Sequence, residues 1–363
     1  MLFALLAASL ALHDAAHKDD LAEARQLIAK GADVKAATDL GVTPLWLAAE
    51  NGSTPMVKLL LDAGANPNAA LLDGETPLMA AARGGFSDVA ELLLNKDANP
   101  NAKATRDQTA LMIAASRRHP DVVQILLRYK AEPQARSATW SQIMAVPPHG
   151  HPPYNRQIPH GHMTALLFAA RSGDLRSAQL LLNAGADPND RDAWGLDALT
   201  HAAEANHRDL VLLLAPLAKP ATVAAKEPGF TALHAAILHR DATMVEAILK
   251  AGANPNLPVT NWTPTRRSSR DYHFTPALIG ASPLYLAVRI AEPNLVRTLL
   301  QHGADPTFVH NVEYLHDYDQ PRKLSVPLTA AANGDGPIVE WKRLDKDART
   351  ARVPAVLDAL RYR

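Results

Sequence analysis

The 363-residue sequence contains no cysteine. This excludes disulfide bonds, thiolate nucleophiles and zinc sites built from cysteine. Aromatic residues account for only 5 % of the chain, although 47 % of its residues are hydrophobic. The core must therefore consist mainly of alanine and leucine, a composition that suits thin and closely packed helices.

An excess of charge is also absent, because 37 Lys and Arg residues balance 37 Asp and Glu residues. A net charge of zero argues against general binding of nucleic acids or other polyanions. Catalytic motifs are missing as well. The sequence has no Gly-rich phosphate loop after a strand, no Gly-x-Ser-x-Gly elbow and no convincing pair of carboxylates. We therefore expect a protein that is not an enzyme and uses no cofactor.

Long apolar runs are absent except at the start, where Leu2 to Leu12 is too short to span a bilayer. Small residues at Ser9 and Ala11 suit a signal peptidase, although no Lys or Arg precedes the run. Residues 1–11 resemble a secretory signal, which predicts a periplasmic or secreted protein. The alternative is a cytoplasmic protein in which this apolar helix covers the first structural unit.

Internal repetition is the most informative feature of the sequence. The triplet at Thr43 recurs at Thr76 and Thr109, in steps of 33 residues. Two later steps, of 55 and 51 residues, each contain one period and an insertion. Copies after the first three begin at Thr164, Asp197, Thr231 and Ser282.

Each unit predicts a pair of short helices. Thr43 can cap a helix start, and Pro44 suits the first helical position. Leu45, Ala48 and Ala49 then form one apolar stripe of a helix. A second apolar helix follows and ends at a Gly-Ala pair, after which Asn-Pro-Asn or Asp-Pro-Asn provides turn residues.

These units resemble ankyrin repeats in the segments TPLWLAA, TPLMAAA, TALMIAA, TALLFAA and TALHAAI. The resemblance implies an all-α solenoid of about eight helix-turn-helix units with short β-hairpin-like fingers. It also implies a non-catalytic scaffold that binds a protein partner on its concave face. The insertion text at Asn261–Arg267 and Ala277–Pro283 further resembles a group of bacterial ankyrin-repeat proteins with long insertions.

The repeat pattern divides the chain into seven segments. They are the possible signal peptide 1–11, repeats one to four 12–135, a Pro/His-rich insertion 136–160, repeats five to seven 161–257, an Arg/aromatic insertion 258–280, repeat eight 281–307, and a connector, degenerate repeat and tail 308–363.

Several positions depart from the repeat pattern. Asp97 and Lys130 replace the glycine that ends a second helix, and Pro216 must stop the second helix of the sixth unit early. Val326 stands where the last unit should have a capping threonine. We expect the tail after Ile338 to provide the polar outer face that closes such a stack.

The Pro/His-rich insertion offers a competing interpretation. His149, His151, His160 and His162 lie within 14 residues and could bind zinc, copper or nickel. No acidic residue lies in the cluster to orient an imidazole, so a polar loop without metal is the other interpretation. The alternative function is therefore a metal- or small-ligand-binding protein.

The resemblance to ankyrin repeats implies that a partner meets the fingers and the exposed end of each first helix. Arginines at these helix ends would favour an acidic patch on the partner. The alternative is a set of solvated helix ends at which each arginine satisfies late backbone carbonyls. Trp194 is the strongest hot-spot candidate by residue type. We expect a monomer that binds an unidentified protein, with neither nucleic acid nor a membrane span. The predicted partner-binding residues are Asp39, Leu40, Leu72, Asp73, Arg83, Arg106, Gln108, Arg117, Arg171, Trp194, Trp262, Arg266 and Arg289.

The signal-peptide interpretation makes one direct prediction. Mass spectrometry of the protein purified from its native source should show a mature chain that begins at Leu12, because the segment up to Ala11 would be removed on export. An intact Met1 on cytosolic material would contradict it.

Overall fold

The computed structural model describes residues 2–144, 156–219, 229–261, 276–316, 320–336 and 346–361. The chain forms two units. The first contains Met1–Ala138 and His162–Asp187, and the second contains Thr139–Gly161 and Pro188–Arg363.

Helices in the first unit form five consecutive pairs, each with an inner and an outer member. The predicted Thr-Pro-Leu or Thr-Ala-Leu motif begins the inner helix from the second pair onward. The pairs are α1 (Leu2–His17) and α2 (Leu21–Ala29), α3 (Pro44–Glu50) and α4 (Thr54–Asp62), α5 (Pro77–Gly84) and α6 (Ser87–Leu94), α7 (Ala110–Arg117) and α8 (Pro120–Arg128), and α9 (Ala165–Ser172) and α10 (Leu175–Asn183).

The second unit repeats the same arrangement four times within the described residues. Its pairs are α11 (Ala198–Glu204) and α12 (Arg208–Leu214), α13 (Ala232–Leu238) and α14 (Ala242–Lys250), α15 (Pro283–Arg289) and α16 (Pro293–Gln301), and α17 (Leu328–Asn333) and α18 (Lys346–Arg361). The predicted all-α fold is confirmed. Helix α12 ends two residues before Pro216, as the sequence requires.

The inner helices begin where the sequence predicts. Thr43, Thr76 and Thr109 each accept a hydrogen bond from the backbone N–H three residues later, at 3.2 to 3.4 Å. Each hydroxyl satisfies an amide that the helix itself leaves without a partner. The 33-residue period is therefore a period of helix starts.

Alanine pairs form the contact between successive inner helices. Ala48 and Ala49 of α3, and Ala81 and Ala82 of α5, have no exposed surface, and the same holds for the corresponding pairs of α7 and α9. Helices α3, α5, α7 and α9 pack in that order within the first unit. A methyl side chain lets neighbouring backbones approach closely, so the stripe that the sequence predicts is the helix–helix interface.

The last helix pair was only partly predicted. The sequence indicates about eight units and a degenerate ninth, and the structure completes that ninth unit. Helix α17 packs on α15, and α18 packs on α16 and α17. Pro327 at the start of α17 offers no side-chain cap, and residues 334–345 separate the two helices. The exposed side chains of α18 are mainly polar, which suits the closing role expected for the tail.

The two missing glycines are replaced without a change of backbone geometry. Asp97 has a φ of 63° and Lys130 has a φ of 64°, and the glycines at the equivalent positions are also left-handed. A Cβ built at Gly64 meets no atom within 4 Å. A side chain therefore fits at this position, and its cost is the strain of a left-handed conformation, roughly 1 kcal/mol.

Within the described residues, two hairpins interrupt the helix pairs. Strands β1 (Trp140–Met144) and β2 (Arg156–His160) pair antiparallel inside the Pro/His-rich insertion. Strands β3 (Val309–His316) and β4 (Gln320–Pro327) pair antiparallel before the ninth helix pair. The second hairpin is a long finger where the sequence indicates only a connector.

Asparagine side chains bridge successive repeats. Asn68 accepts a hydrogen bond from the backbone N–H of Asn99 at 2.7 Å and donates to the carbonyl of Asp97 at 2.9 Å. Asn101 and Asn256 make the same pair of bonds to the following repeat. The last residue of each Asn-Pro-Asn turn therefore also fixes the spacing between repeats.

Histidines in the inner helices have structural roles. His13 lies 3.0 Å from the carbonyl of Val42 in the next repeat, to which its Nε2 donates. His234 has no exposed surface, and its Nδ1 accepts a hydrogen bond from the backbone N–H of Thr231 at 3.1 Å. Burial lowers the pKa of His234 to about 4, although its hydrogen bond to the Leu257 backbone acts in the opposite direction.

His234 should make the stability of the protein dependent on pH. At pH values between the unfolded pKa of His234, about 6.5, and its folded pKa, about 4, the unfolded chain binds a proton at this residue and the folded chain does not. The free energy of unfolding should therefore fall by about 3 kcal/mol as the pH drops through this range. Urea denaturation at both ends of the range measures this loss. In the His234→Gln variant, this fall in the free energy of unfolding should be smaller than in the parent by about 3 kcal/mol. Equal falls in both proteins would contradict the assignment.

The alanine interface predicts a second effect on stability. Ala81→Leu or Ala114→Leu should lower the free energy of unfolding by about 1–3 kcal/mol, because neither residue has any exposed surface. The matched control is Ala22→Leu, at an exposed position of α2. A parent-like thermal melt for the two buried variants would show that the inner helices can separate to admit leucine.

Candidate functional site

The fingers of the first unit form a continuous row. The backbone N–H of Leu72 donates to the carbonyl of Leu40 at 3.1 Å, and the N–H of Thr105 donates to the carbonyl of Asp73 at 2.8 Å. The N–H of Ala138 continues the row with a bond to the carbonyl of Arg106 at 2.7 Å. Successive turns are thus held together by the backbone, and their outward side chains form one surface.

Two leucines stand out on this row. Leu40 is 66 % exposed and Leu72 is 77 % exposed, and their backbones are hydrogen-bonded to each other. Isolated exposed leucines are common on protein surfaces. Two on neighbouring fingers place apolar surface side by side, where a partner could cover both at once.

Sequence reasoning missed a row of apolar side chains on the inner helices of the same unit. Leu47, Ile113 and Phe168 are half-buried, and each is the fourth residue after its capping threonine. Ala80 occupies this position in α5 and is buried. The constant offset from the cap was the signal that could have identified the row.

The four arginines predicted at the inner helix ends have different environments. Arg83 forms an ion pair of 2.6 Å with Glu75, whose side chain is only 10 % exposed, so its charge is already neutralised. Arg117 is exposed and makes no hydrogen bond or ion pair with the described residues. Arg171 is exposed, and its guanidinium carbon lies 5.9 Å from the ring centroid of Phe168.

Arg289 does not lie on an exposed face, contrary to the prediction. It is 8 % exposed and donates to the carbonyls of Ala331 and Gly336, both at 3.2 Å. Burial lowers the pKa of its guanidinium. The alternative interpretation, a solvated helix end, does not describe this position either, because Arg289 is buried and its carbonyl partners belong to the following repeat.

The remaining finger residues of the first unit differ in their exposure to solvent. Asp39 and Arg106 are exposed, and Gln108 is half-buried. Asp73 is exposed, but its Oδ1 accepts the backbone N–H of Glu75 at 3.0 Å and so stabilises its own turn. The fingers therefore present a mixed surface of two leucines and several charges.

Trp194 lies in the second unit and is half-buried. Its backbone N–H donates to Asp192, which also accepts from His201 Nε2 at 3.0 Å. Trp194 therefore lies in a turn held by hydrogen bonds and is only partly accessible, which argues against its role as an exposed binding hot spot. The two predicted residues Trp262 and Arg266 lie outside the described part of the chain.

The histidine cluster is only partly described. His149 and His151 lie outside the described residues, whereas His160 stacks on Trp140 with ring centroids 4.4 Å apart. His162 has a φ of 56° in the turn that follows. Among the described residues, no group of three histidine or acidic side chains is placed to hold a metal ion. None of the described helices is both long and apolar enough to cross a membrane.

Comparison with known families agrees with this architecture. A family described as "Ankyrin repeats (3 copies)" matches residues 8–71, 65–137 and 160–259. A second, described as "Ankyrin repeat", matches residues 279–311. No curated protein gives a significant match. The matched segments cover well over half of the sequence and coincide with the first eight helix pairs, so the chain belongs to the ankyrin-repeat family.

Proposed function

We propose that this chain is a non-catalytic scaffold that binds a protein partner on the fingers and inner helices of its first unit. Ankyrin repeats are generally protein–protein interaction modules. The adjacent exposed leucines Leu40 and Leu72 are the observation that supports an interface on this face. It is the face expected to be concave in an ankyrin stack.

The geometry of this face suits recognition. Backbone hydrogen bonds hold the fingers in place, and buried alanines hold the inner helices, so the surface is formed before a partner arrives. A preorganised surface loses little conformational entropy on binding. The half-buried row of Leu47, Ile113 and Phe168 would continue the apolar contact from the fingers onto the helices.

The electrostatic part of the proposal rests on fewer residues than the sequence suggested. Arg117 and Arg171 are exposed and favour an acidic group on the partner, whereas Arg83 is paired with Glu75. We expect apolar contacts to contribute most of the affinity and the two arginines to guide association.

We also propose that the protein is exported from a bacterial cell. Leu10 is 59 % exposed, whereas Leu12 has no exposed surface. Among the residues whose burial is described, Leu12 is the first buried one, and it directly follows the expected cleavage site. Removal of residues 1–11 would leave the buried Leu12, Ala15 and Ala16 in place, which is compatible with a mature chain that starts at Leu12.

Site-specific photo-crosslinking tests the proposed interface. A photoreactive amino acid at position 40 or 72 of the full-length chain should produce a crosslinked adduct with the partner in native extract. The same group at position 212 is the matched control, because Leu212 is also an exposed leucine, 41 % exposed, but lies on the outer helix α12. An adduct at position 212 alone would place the interface elsewhere.

Charge reversal tests the electrostatic part separately. Arg117→Glu combined with Arg171→Glu should slow association with the captured partner, and the effect should shrink as salt is added. Arg25→Glu, at an exposed position of α2, makes the same kind of charge change away from the face. Equal association rates for the double variant and the control would remove the arginines from the interface.

A further inference from the structure

Arginines gather at one corner of the second unit, in a region with no part in the proposed interface. Arg240 follows α13, and Arg352 lies on α18. Their Nη1 atoms lie 2.8 Å and 2.5 Å from the same oxygen, Oε1 of Glu292. One carboxylate oxygen therefore serves two guanidinium groups from different repeats.

Two more arginines adjoin this pair. Arg289 and Arg349 both donate to the carbonyl of Ala331, near the end of α17, at 3.2 Å. Arg349 lies one turn before Arg352 on α18, so both side chains leave the same face of that helix. We call Arg240, Arg289, Arg349 and Arg352 the arginine corner.

The corner carries more positive than negative charge among the described residues. Among the described residues, Glu292 interacts with Arg240 and Arg352, and Asp335 interacts with Arg289. Burial is the main reason why the pKa values of Arg240 and Arg289 are lowered, and repulsion from Arg352 and Arg349 contributes to the respective shifts. Partly buried cations that repel one another are stabilised by an additional anion.

The arginine corner also has an unused hydrogen-bond donor and is accessible from solvent at Arg352. Nε of Arg240 is buried and makes no hydrogen bond in the described structure. The side chain of Arg352 is 42 % exposed, whereas those of Arg240 and Glu292 are 14 % and 17 % exposed. An oxyanion that arrives from solvent would meet Arg352 first and then compete with Glu292 for both guanidinium groups.

We infer that the arginine corner is a binding site for a phosphate group. Planar guanidinium groups present paired donors that match the oxygens of a phosphate, and a dianion would balance the local excess of positive charge. A free phosphate ion and a phosphorylated segment of another protein share this chemistry. Glu292 fills the position of the anion when no phosphate is bound.

A purely structural ion-pair cluster makes a different prediction about Glu292. If the cluster only supports α18, Glu292→Gln should destabilise the last repeat and create no affinity for phosphate. If the corner is a phosphate site, the same substitution removes an internal competitor. Phosphate should then bind more tightly to the variant than to the parent, and it should restore the thermal midpoint that the substitution lowers.

The experiment is a calorimetric titration of the full-length protein with inorganic phosphate at constant ionic strength. The parent should bind, Glu292→Gln should bind more tightly, and Arg352→Gln should bind about tenfold more weakly because one charge-assisted contact is lost. Arg322→Gln, at an exposed position of β4, is the matched control and should bind like the parent. Circular dichroism confirms that each variant is folded.

Two results would overturn the inference. One is the absence of phosphate binding by both the parent and Glu292→Gln. The other is binding that Arg352→Gln leaves unchanged. A capped phosphoserine peptide, compared with its unphosphorylated form, separates the two sources of the ligand. Tighter binding of the phosphopeptide than of inorganic phosphate would assign the site to a phosphorylated protein, and the reverse order would assign it to the free ion.

Discussion

The close contact between inner helices depends on alanine. In the inner helices α1, α3, α5, α7, α9, α11 and α13, two consecutive alanines have no exposed surface, so adjacent helices approach without large side chains between them. This spacing brings the fingers within hydrogen-bond distance, as the bond between Leu72 and Leu40 shows. It also allows one asparagine, such as Asn68, to bridge to the next repeat with both atoms of its amide. Larger residues would loosen all three contacts together.

A stack of this kind separates support from recognition. Leucine and alanine side chains hold each repeat to its neighbours, and the finger tips and inner-helix surfaces can vary without loss of that support. Exposed leucines on two fingers and the arginines on α7 and α9 are examples of this freedom. The ankyrin architecture therefore explains how a surface is presented, whereas the identity of the partner depends on individual side chains.

At its last repeat, the second unit uses arginine where the other inner helices, such as α11 and α15, have side-chain caps. Its last repeat has a short inner helix, no capping hydroxyl at the start of α17, and a proline inside α18. Guanidinium groups compensate by hydrogen bonds to the carbonyls at the end of α17. The same guanidinium groups create the excess of positive charge on which the proposed phosphate site depends. The arginines that stabilise the last repeat are therefore also the residues proposed to bind phosphate.

The sequence by itself determined the period, the helix starts, the buried alanine stripe and the early end of α12, because capping, proline geometry and helical spacing act over a few residues. The finger residues were indicated by the resemblance of these repeats to ankyrin repeats. Only the tertiary structure decided that Arg289 is buried, that Arg83 is neutralised by Glu75, and that Arg240 and Arg352 share Glu292. These environments are set by contacts between residues eight to 60 positions apart in the sequence, and a local pattern contains no information about which of them meet.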